Sequence, residues 1–205
     1  MPDARIHPTA LIEEGVQLGA GTSIWDHVHI RHDTTLGVDC LVGEKTHIAY
    51  AVSIGDRVKI NAGVYICTAV TIETGVMISA GVIFTNDRFP RATTPDLQHL
   101  RSSDPNEETL DTLVREGATI GAGAIIGCDL TIGRWAMVGM GSVVTRSVGN
   151  FQLVIGNPAR LIGFVCRCGQ KLRHQDFTLT SSTTLPCTTC QRTYQQQQET
   201  LTEIL

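Results

Sequence analysis

An aliphatic residue, or in one case phenylalanine, occurs at every sixth position through most of this chain of 205 residues. The pattern runs without a miss from Ile6 to Phe84 and resumes in the same register from Val114 to Val144. Its members are Ile6, Ile12, Leu18, Ile24, Ile30, Leu36, Val42, Ile48, Ile54, Ile60, Ile66, Ile72, Ile78, Phe84, Val114, Ile120, Ile126, Ile132, Val138 and Val144. A strict period of six fits neither a helix, with its period near 3.6, nor the two-residue alternation of an antiparallel strand. It indicates a solenoid built from hexapeptides.

Each hexapeptide predicts one short strand followed by a bend. The aliphatic residue and a small or β-branched residue two positions earlier point inward, and the glycine that often follows takes the tight corner. Three hexapeptides close a triangular turn of about 18 residues, and stacking buries the apolar faces that one turn cannot bury alone. About seven turns fit between Ile6 and Gly149. We therefore predict an all-β protein whose residues 1–160 form a parallel β-helix.

Composition restricts the class of partner. The chain has a formal net charge of −4 and is 42% hydrophobic, with no apolar run long enough to cross a bilayer. Its first residues include Asp3 and Glu13 and no hydrophobic signal segment, so we expect a cytoplasmic protein without a membrane partner. It has no basic run with interleaved aromatic residues, so a nucleic-acid partner is not expected.

The repeat is interrupted once, and the interruption predicts a loop extruded from the β-helix over about residues 85–113. Long excursions from a rigid scaffold often carry function. The first part of this loop holds Asn86, Asp87, Arg88 and Arg91 close to Phe89. This loop is therefore the first place to expect chemistry, although Asn86 and Asp87 could instead only initiate the turn.

Residues 161–205 form a separate C-terminal extension with two pairs of cysteines, Cys166 with Cys168 and Cys187 with Cys190. Paired thiols in a protein expected to be cytoplasmic indicate a small zinc-binding hairpin more than disulfides. The alternative is four reduced, free cysteines on a loosely ordered tail. The polar stretch from Gln195 onward predicts a short helix or a disordered end.

The repeat resembles that of the hexapeptide-repeat acyltransferases. Three further segments are similar to the nucleotide-sugar 3-N-acetyltransferases: Ile-His-Pro-Thr-Ala at 6–10, Phe-Thr-Asn-Asp-Arg-Phe-Pro-Arg-Ala at 84–92, and Gly-Asn-Pro-Ala-Arg at 156–160. The resemblance implies a left-handed parallel β-helix that assembles as a homotrimer with sites between subunits. It also implies acetyl-CoA-dependent acetylation of the 3-amino group of a dTDP- or UDP-linked amino sugar, for lipopolysaccharide or surface-layer glycans.

The resemblance also assigns roles near the loop. In that family the asparagine of the Phe-Thr-Asn segment lies next to the sugar amine, which makes Asn86 and its neighbour Asp87 the catalytic candidates. An amide orients an amine but is no base, so the proton acceptor stays open between Asp87, a histidine and the departing CoA sulfur.

Counting in steps of eighteen places further polar residues beside the loop. One outward column reads His29, His47, Tyr65 and Ile83, and the column below Asn86 reads Thr68, Tyr50 and His32. We predict that five residues on this side bind substrate: Arg91, Tyr65, His29, His47 and Asn61. The alternative is that the histidines lie in a subunit interface or face solvent.

In the family that the chain resembles, acetyl-CoA lies along the groove between two neighbouring β-helices, against the later turns. The matching residues are Gly121, Gly139, Arg146 and Arg160. Glycine lets a thin chain approach the backbone, and arginine pairs with phosphate. The glycines could equally serve only as corners of the solenoid.

Two other classes of protein are alternatives to the acetyltransferase hypothesis. A non-catalytic scaffold subunit would share the fold and would bind no CoA. A zinc carbonic anhydrase-like lyase would need three histidines across a subunit boundary. His27 and His32 have a five-residue separation similar to one such pair, and no third histidine has a convincing spacing.

Overall fold

The computed structural model describes residues 3–172 and 181–204, which form short strands joined by turns and one long loop. No helix in these residues is long and apolar enough to cross a membrane. The strands of the β-helix are β1 (Arg5–Ile6), β2 (Leu11–Ile12), β3 (Gln17–Leu18), β4 (Ser23–Ile24), β5 (His29–Ile30), β6 (Thr35–Leu36), β7 (Leu41–Val42), β8 (His47–Ile48), β9 (Ser53–Ile54), β10 (Lys59–Ile60), β11 (Tyr65–Ile66), β12 (Val70–Ile72), β13 (Met77–Ile78), β14 (Ile83–Phe84), β15 (Thr112–Val114), β16 (Thr119–Ile120), β17 (Ile125–Ile126), β18 (Leu130–Ile132), β19 (Met137–Val138), β20 (Val143–Val144) and β21 (Gln152–Gly156).

Every third strand stacks in the same sheet, as the period of six predicts. Sheet A contains β1, β4, β7, β10, β13, β16, β19 and β21; sheet B contains β2, β5, β8, β11, β14, β17 and β20; sheet C contains β3, β6, β9, β12, β15 and β18. All these strands pair in parallel, and Val148 continues sheet C through a parallel bridge to Ile132. Seven turns are thus complete and β21 begins an eighth, which confirms the predicted all-β parallel β-helix.

The core is a set of stacked columns, one for each sheet. Ile30, Ile48 and Ile66 lie directly above one another in sheet B and are fully buried. Threonines at the preceding small position are buried as well, and their hydroxyls are satisfied. The Thr34 hydroxyl donates to the carbonyl of Ala49 at 2.8 Å and accepts from the N–H of Val52 at 3.2 Å. This pairing removes the cost of burying a polar group between the turns.

The corners of the β-helix differ from the prediction. Left-handed backbone occurs three residues after the aliphatic position, as at Gly15 (φ 76°) and His27 (φ 54°), and not at the glycine that directly follows it. Glycine occurs directly after the aliphatic position for another reason. A Cβ on Gly43 would lie 2.7 Å from the backbone N of Ala62 in the next turn, so the close approach of two turns excludes any side chain there.

The interruption shifts the register without breaking the stack. Partners in sheet A lie 18 residues apart up to Lys59 and Met77, whereas Met77 pairs with Thr119, 42 residues on. The insertion of 24 residues lies between β14 and β15. Thr112 and Leu113, which were expected in the loop, belong to β15, so the loop spans 85–111.

The C-terminal region packs beneath the last turns. After β21 the chain reverses into β22 (Ala159–Phe164), so the predicted boundary at residue 160 falls inside a hairpin. An antiparallel sheet follows, made of β23 (Thr183–Pro186), β24 (Thr193–Gln197) and β25 (Thr200–Ile204). The prediction of a helix or disorder from Gln195 is wrong, because Tyr194 and Gln196 alternate inward with the two-residue period of a strand.

Candidate active site

The loop at 85–111 folds back on itself and is not a loose excursion. Asp87 and Thr109 form an antiparallel bridge, and the N–H of Leu110 donates to the carbonyl of Asn86 at 2.9 Å. The Asp87 carboxylate also accepts from the N–H of Phe89 at 2.8 Å, a local turn of the kind that aspartate favours. These bonds fix Asn86 and Asp87 at the point where the loop leaves sheet B.

A polar cleft of about 560 Å³ opens inside this loop. Asn86, Asp87 and Arg91 line it on one side, and an ion pair between Arg101 and Glu108 lines the other. Asn86 is half-buried and Arg91 is exposed. The structure therefore brings together three residues that the sequence proposed separately as catalytic and substrate-binding.

Asp87 also borders a second cleft, of about 530 Å³, on the side of the later turns. Arg146 and Cys128 line this second cleft, and an ion pair between Arg88 and Asp129 lies at its edge. Asp87 thus stands on the ridge between a cleft that contains Asn86 and a cleft that contains a predicted CoA-binding arginine.

The predicted outward column of His29, His47 and Tyr65 is present as a ladder of contacting rings, and the sequence analysis missed the carboxylate that contacts its near end. The His29 and His47 rings meet edge to face at a centroid distance of 4.9 Å, and His47 stacks on Tyr65 at 5.4 Å. Beyond His29 lies Glu13, whose Oε1 is 2.7 Å from His29 Nε2. The sequence did contain a signal for this contact, because counting by eighteen places Glu13 directly over Arg31. The Arg31 guanidinium lies 3.6 Å from the same carboxylate.

Contacts within the ladder shift the protonation of its members. The hydrogen bond from His29, helped by the N–H of His32, lowers the pKa of the Glu13 carboxyl below its ordinary 4.5. Burial lowers the pKa of the His47 imidazole, and the charges of His29 and Arg31 act in the same direction. Burial raises the pKa of the Tyr65 phenol. These contacts favour a neutral His47 and an ionised Glu13, with His29 between them.

Other predicted residues lie apart from the loop clefts. Asn61 lines a separate shallow cleft of about 350 Å³ together with Trp25. Gly121 faces the next turn, where a Cβ would lie 2.6 Å from the N of Met140, and a Cβ on Gly139 would meet the side chain of Ile155 at 2.4 Å. The packing role, which the sequence left as an alternative, thus has a direct geometric cause at both glycines.

Two more predicted groups lie near the C-terminus. Arg160 is exposed on β22, where its guanidinium donates to the carbonyl of Ala159 at 2.9 Å. The Sγ atoms of the four paired cysteines all lie within 4.8 Å of one another. Within 3–172 and 181–204, these four residues are the one group with metal-ligating side chains so arranged, and His27 and His32 belong to no such group.

Residues 33–68 and 114–146 match the model of the hexapeptide repeat of succinyl-transferase. Together with the three parallel sheets, this match shows that hexapeptide repeats build the β-helix. Among curated proteins, the chain is 51% identical over 65 residues to the dTDP-3-amino-3,6-dideoxy-alpha-D-galactopyranose 3-N-acetyltransferase of Aneurinibacillus thermoaerophilus. The resemblance to hexapeptide-repeat acyltransferases and to nucleotide-sugar 3-N-acetyltransferases is confirmed.

These sequence matches are partial. The first covers 32% of this chain and 34% of the relative. A second relative, serine acetyltransferase 4 of Arabidopsis thaliana, is 46% identical over 52 residues, which is 25% of this chain and 15% of that protein. The matched part thus spans about a third or less of the length of these curated relatives.

Two solved structures share the fold over most of the chain. One is a mutant of AntD, an N-acyltransferase from Bacillus cereus, in complex with dTDP and coenzyme A; it has a TM-score of 0.51 and 20% identity, and covers 82% of this chain and 85% of that one. The other is the acetyltransferase domain of PglB from Neisseria gonorrhoeae in complex with acetyl coenzyme A. Its TM-score is 0.53 at 19% identity, with 78% of this chain and 57% of that one covered. At these identities the likeness concerns the fold.

Proposed function

We propose that this protein is an acetyl-CoA-dependent N-acetyltransferase acting on the 3-amino group of a dTDP- or UDP-linked amino sugar. The observation that carries the proposal is the cleft in the loop, where Asn86, Asp87 and Arg91 face one polar space of about 560 Å³. The relative with 51% identity acts, by its name, on a dTDP-linked 3-amino sugar. AntD, in its structure, holds dTDP and coenzyme A on the same fold.

In this proposal Asn86 orients the amine of the acceptor sugar, and Arg91 binds its diphosphate. The N–C bond forms at the thioester carbonyl carbon as the C–S bond to CoA breaks, and the amine nitrogen gives up one proton. Asp87, on the ridge between the two clefts, is the first candidate to take that proton and pass it to the departing CoA sulfur. Direct transfer to the sulfur and transfer through His29, held by Glu13, are the other routes.

Acetyl-CoA is assigned to the second cleft, where Arg146 is available for a phosphate. Arg160 and the turns that contain Gly121 and Gly139 would flank the same cofactor in an assembled protein. Asn61 and the ladder of His29, His47 and Tyr65 would face the sugar nucleotide from a neighbouring subunit.

A homotrimer with sites between subunits is part of the proposal. Sheet B presents Tyr65, Ile83 and Ile125 to solvent in one stacked column, an apolar stripe that a second copy of the chain would cover. A cytoplasmic location and a place in lipopolysaccharide or surface-glycan synthesis are also proposed, since both substrates are nucleotide-linked metabolites.

The test is an acetylation assay with acetyl-CoA and a panel of dTDP- and UDP-linked 3-amino and 4-amino sugars. Loss of the thioester absorbance and the mass of the product are the readouts, because the seven cysteines of the chain would themselves react with a thiol reagent. Acetylation of a 3-amino sugar alone is expected. Turnover of 4-amino sugars alone would overturn the assigned regiochemistry.

If no sugar in the panel is acetylated, calorimetry with acetyl-CoA distinguishes two explanations. Binding of acetyl-CoA without turnover would reject the amino-sugar acceptors and keep an acyltransferase. No binding of acetyl-CoA would reject the enzyme and leave the non-catalytic scaffold.

A further inference from the structure

The C-terminal region contains a second group of chemically active side chains, far along the chain from the loop clefts. Cys166, Cys168, Cys187 and Cys190, called here the cysteine cluster, place their Sγ atoms within 4.8 Å of one another. Cys166 and Cys187 are buried, Cys190 is half-buried and Cys168 is exposed. None of them lines either loop cleft.

The spacing of the sulfur atoms distinguishes a metal site from disulfides. The Sγ atoms of Cys166 and Cys190 are 3.3 Å apart, and those of Cys168 and Cys187 are 3.6 Å apart. A disulfide holds its sulfurs at about 2.05 Å. Four thiolates around one zinc ion, each about 2.3 Å from the metal, have sulfurs about 3.8 Å apart in a tetrahedron. The cluster is close to the second arrangement and brings both pairs together.

The two turns that carry the cysteines have the same local design. Each ends in a left-handed residue directly after its second cysteine, Gly169 (φ 86°) and Gln191 (φ 64°). In each, the N–H of that residue returns to the carbonyl of the first cysteine, at 2.8 Å to Cys166 and 3.0 Å to Cys187. Gln191 takes this backbone although it is not a glycine, as His27 does at a corner of the β-helix. Each turn thus closes around its own pair of cysteines, and the four sulfurs lie together.

The cluster joins two parts of the fold. Cys166 follows β22 at the end of the β-helix, whereas Cys187 and Cys190 lie between β23 and β24. The Tyr194 hydroxyl lies 3.1 Å from the Cys166 sulfur and accepts from the N–H of Arg167 at 3.0 Å. Phe151, Phe164 and Leu185 complete an apolar core around these residues. A link between the sulfurs of the cluster would therefore hold the sheet of β23, β24 and β25 against the last turns of the β-helix.

Two arginines lie beside the cluster, and both also contact the Glu203 carboxylate. Four thiolates and one divalent zinc carry a net charge of −2. Arg192 is two residues from Cys190, and Arg167 directly follows Cys166 with its guanidinium 4.4 Å from the centre of the Trp135 ring. Trp135 belongs to the β-helix, so Arg167 also connects the cluster to that body.

We propose that the cysteine cluster binds one zinc ion as a structural metal, which fastens the C-terminal sheet to the β-helix as a cap over its last turns. A terminal cap of this kind covers the apolar end that a solenoid otherwise exposes. The metal has no open coordination position and takes no part in acetyl transfer, so the proposal does not rest on the proposed function.

The first test is the metal content of the full chain, purified without a histidine tag from zinc-supplemented cells. One zinc ion per chain is expected by mass spectrometry of the metal, and X-ray absorption should show four sulfur neighbours at about 2.3 Å. Cys187→Ser should lose the zinc, whereas Cys128→Ser, a cysteine outside the cluster, should retain it. Less than one zinc per ten chains, with the cluster thiols open to alkylation or joined as disulfides, would overturn the proposal.

A second measurement covers the case in which Cys187→Ser fails to fold. The wild-type chain is stripped of metal with a chelator at neutral pH and then titrated with Co²⁺, which reports tetrahedral thiolate ligation by its visible absorption. Saturation at one Co²⁺ per chain, displacement by Zn²⁺ and recovery of the melting temperature are expected. No thiolate absorption, or an unchanged melting temperature after stripping, would reject a structural metal.

Discussion

The Glu13 carboxylate accepts a hydrogen bond from His29 across adjacent turns of sheet B, with Oε1 and Nε2 2.7 Å apart. Its second oxygen accepts from the backbone N–H of His32 at 3.1 Å, and Arg31 lies 3.6 Å from the first. One carboxylate therefore holds three groups of the following turn. The arrangement orients the His29 ring beside His47 and fixes the near end of the ladder that we assign to the sugar nucleotide.

The first prediction concerns the titration of Glu13. In the folded protein its side-chain carbon should titrate below pH 4.5 by NMR, because the contact with His29 stabilises the ionised form. His29→Leu should move the midpoint back toward 4.5, whereas His7→Leu, which removes an exposed imidazole with no contact to Glu13, should leave it unchanged. Because the folded pKa is lowered, the stability from this contact is present above pH 4.5 and is lost as the pH falls through the lowered value. A wild-type midpoint at or above 4.5 would contradict this account.

The fold could be predicted almost completely, because each buried position in this architecture is fixed by one local rule. Ile48 points inward for the same reason as Ile30 and Ile66, and its partner in the stack is found by adding eighteen. The role of the following glycines was harder to predict. The close approach at Gly43 depends on the distance between two turns, and the period alone does not give that distance.

The candidate site was predictable only in part. The resemblance identified Asn86, and counting by eighteen identified His29 and His47, but the loop itself has no period. The ion pair between Arg101 and Glu108 that closes the cleft therefore left no signal in the sequence. At the C-terminus, the polar run from Gln195 concealed a strand, because the apolar positions that fix it are far apart in the chain and meet only in the folded core.

The second prediction is a pH-dependent stability that depends on His47. Since the folded pKa of His47 lies below its ordinary 6.5, the unfolded chain binds more protons between these two values. The contribution is therefore complete above pH 6.5 and is lost as the pH falls through the lowered value. We expect the difference in unfolding free energy between wild type and His47→Gln to shrink between pH 7.5 and 5.5, in chemical denaturation. Gln98→Ala, which removes no titratable group from the exposed loop, should give a constant difference, and the same behaviour in His47→Gln would count against the account.

The third prediction tests the loop cleft. Asn86→Ala should lower kcat/KM about a hundredfold, because misplacing a reacting group by about an ångström costs this much. The unfolding free energy should change by less than about 0.5 kcal/mol, as for other partly exposed sites. Gln98→Ala removes an amide from the same loop outside the cleft and should keep full activity. Wild-type turnover by Asn86→Ala would remove this residue from the active site.

The fourth prediction compares the two arginines assigned to CoA. Arg146 lines the cleft beside Asp87, whereas Arg160 lies on β22 with its guanidinium on a neighbouring carbonyl. Arg146→Ala should raise the KM for acetyl-CoA about tenfold, as expected for one lost charge-assisted contact, with kcat little changed. Arg160→Ala should raise it less. Arg57→Ala, an exposed arginine outside the clefts, is the control, and equal KM values for it and Arg146→Ala would withdraw Arg146 from the cofactor site.

The fifth prediction separates the packing role of Gly121 from a role in binding CoA. A Cβ at this position would lie 2.6 Å from the N of Met140 and 2.7 Å from the carbonyl carbon of Gly139, and both are backbone atoms that cannot rotate away. Gly121→Ala should therefore cost about 1–3 kcal/mol, the usual cost of overpacking, in denaturant unfolding. Gly127→Ala is the matched control, since its nearest neighbour, the Val144 carbonyl oxygen, lies at 3.1 Å and the strain should be smaller. If Gly121→Ala instead kept wild-type stability and raised the KM for acetyl-CoA, the space beside this turn would belong to the cofactor, and the two turns would have to lie farther apart than they do here.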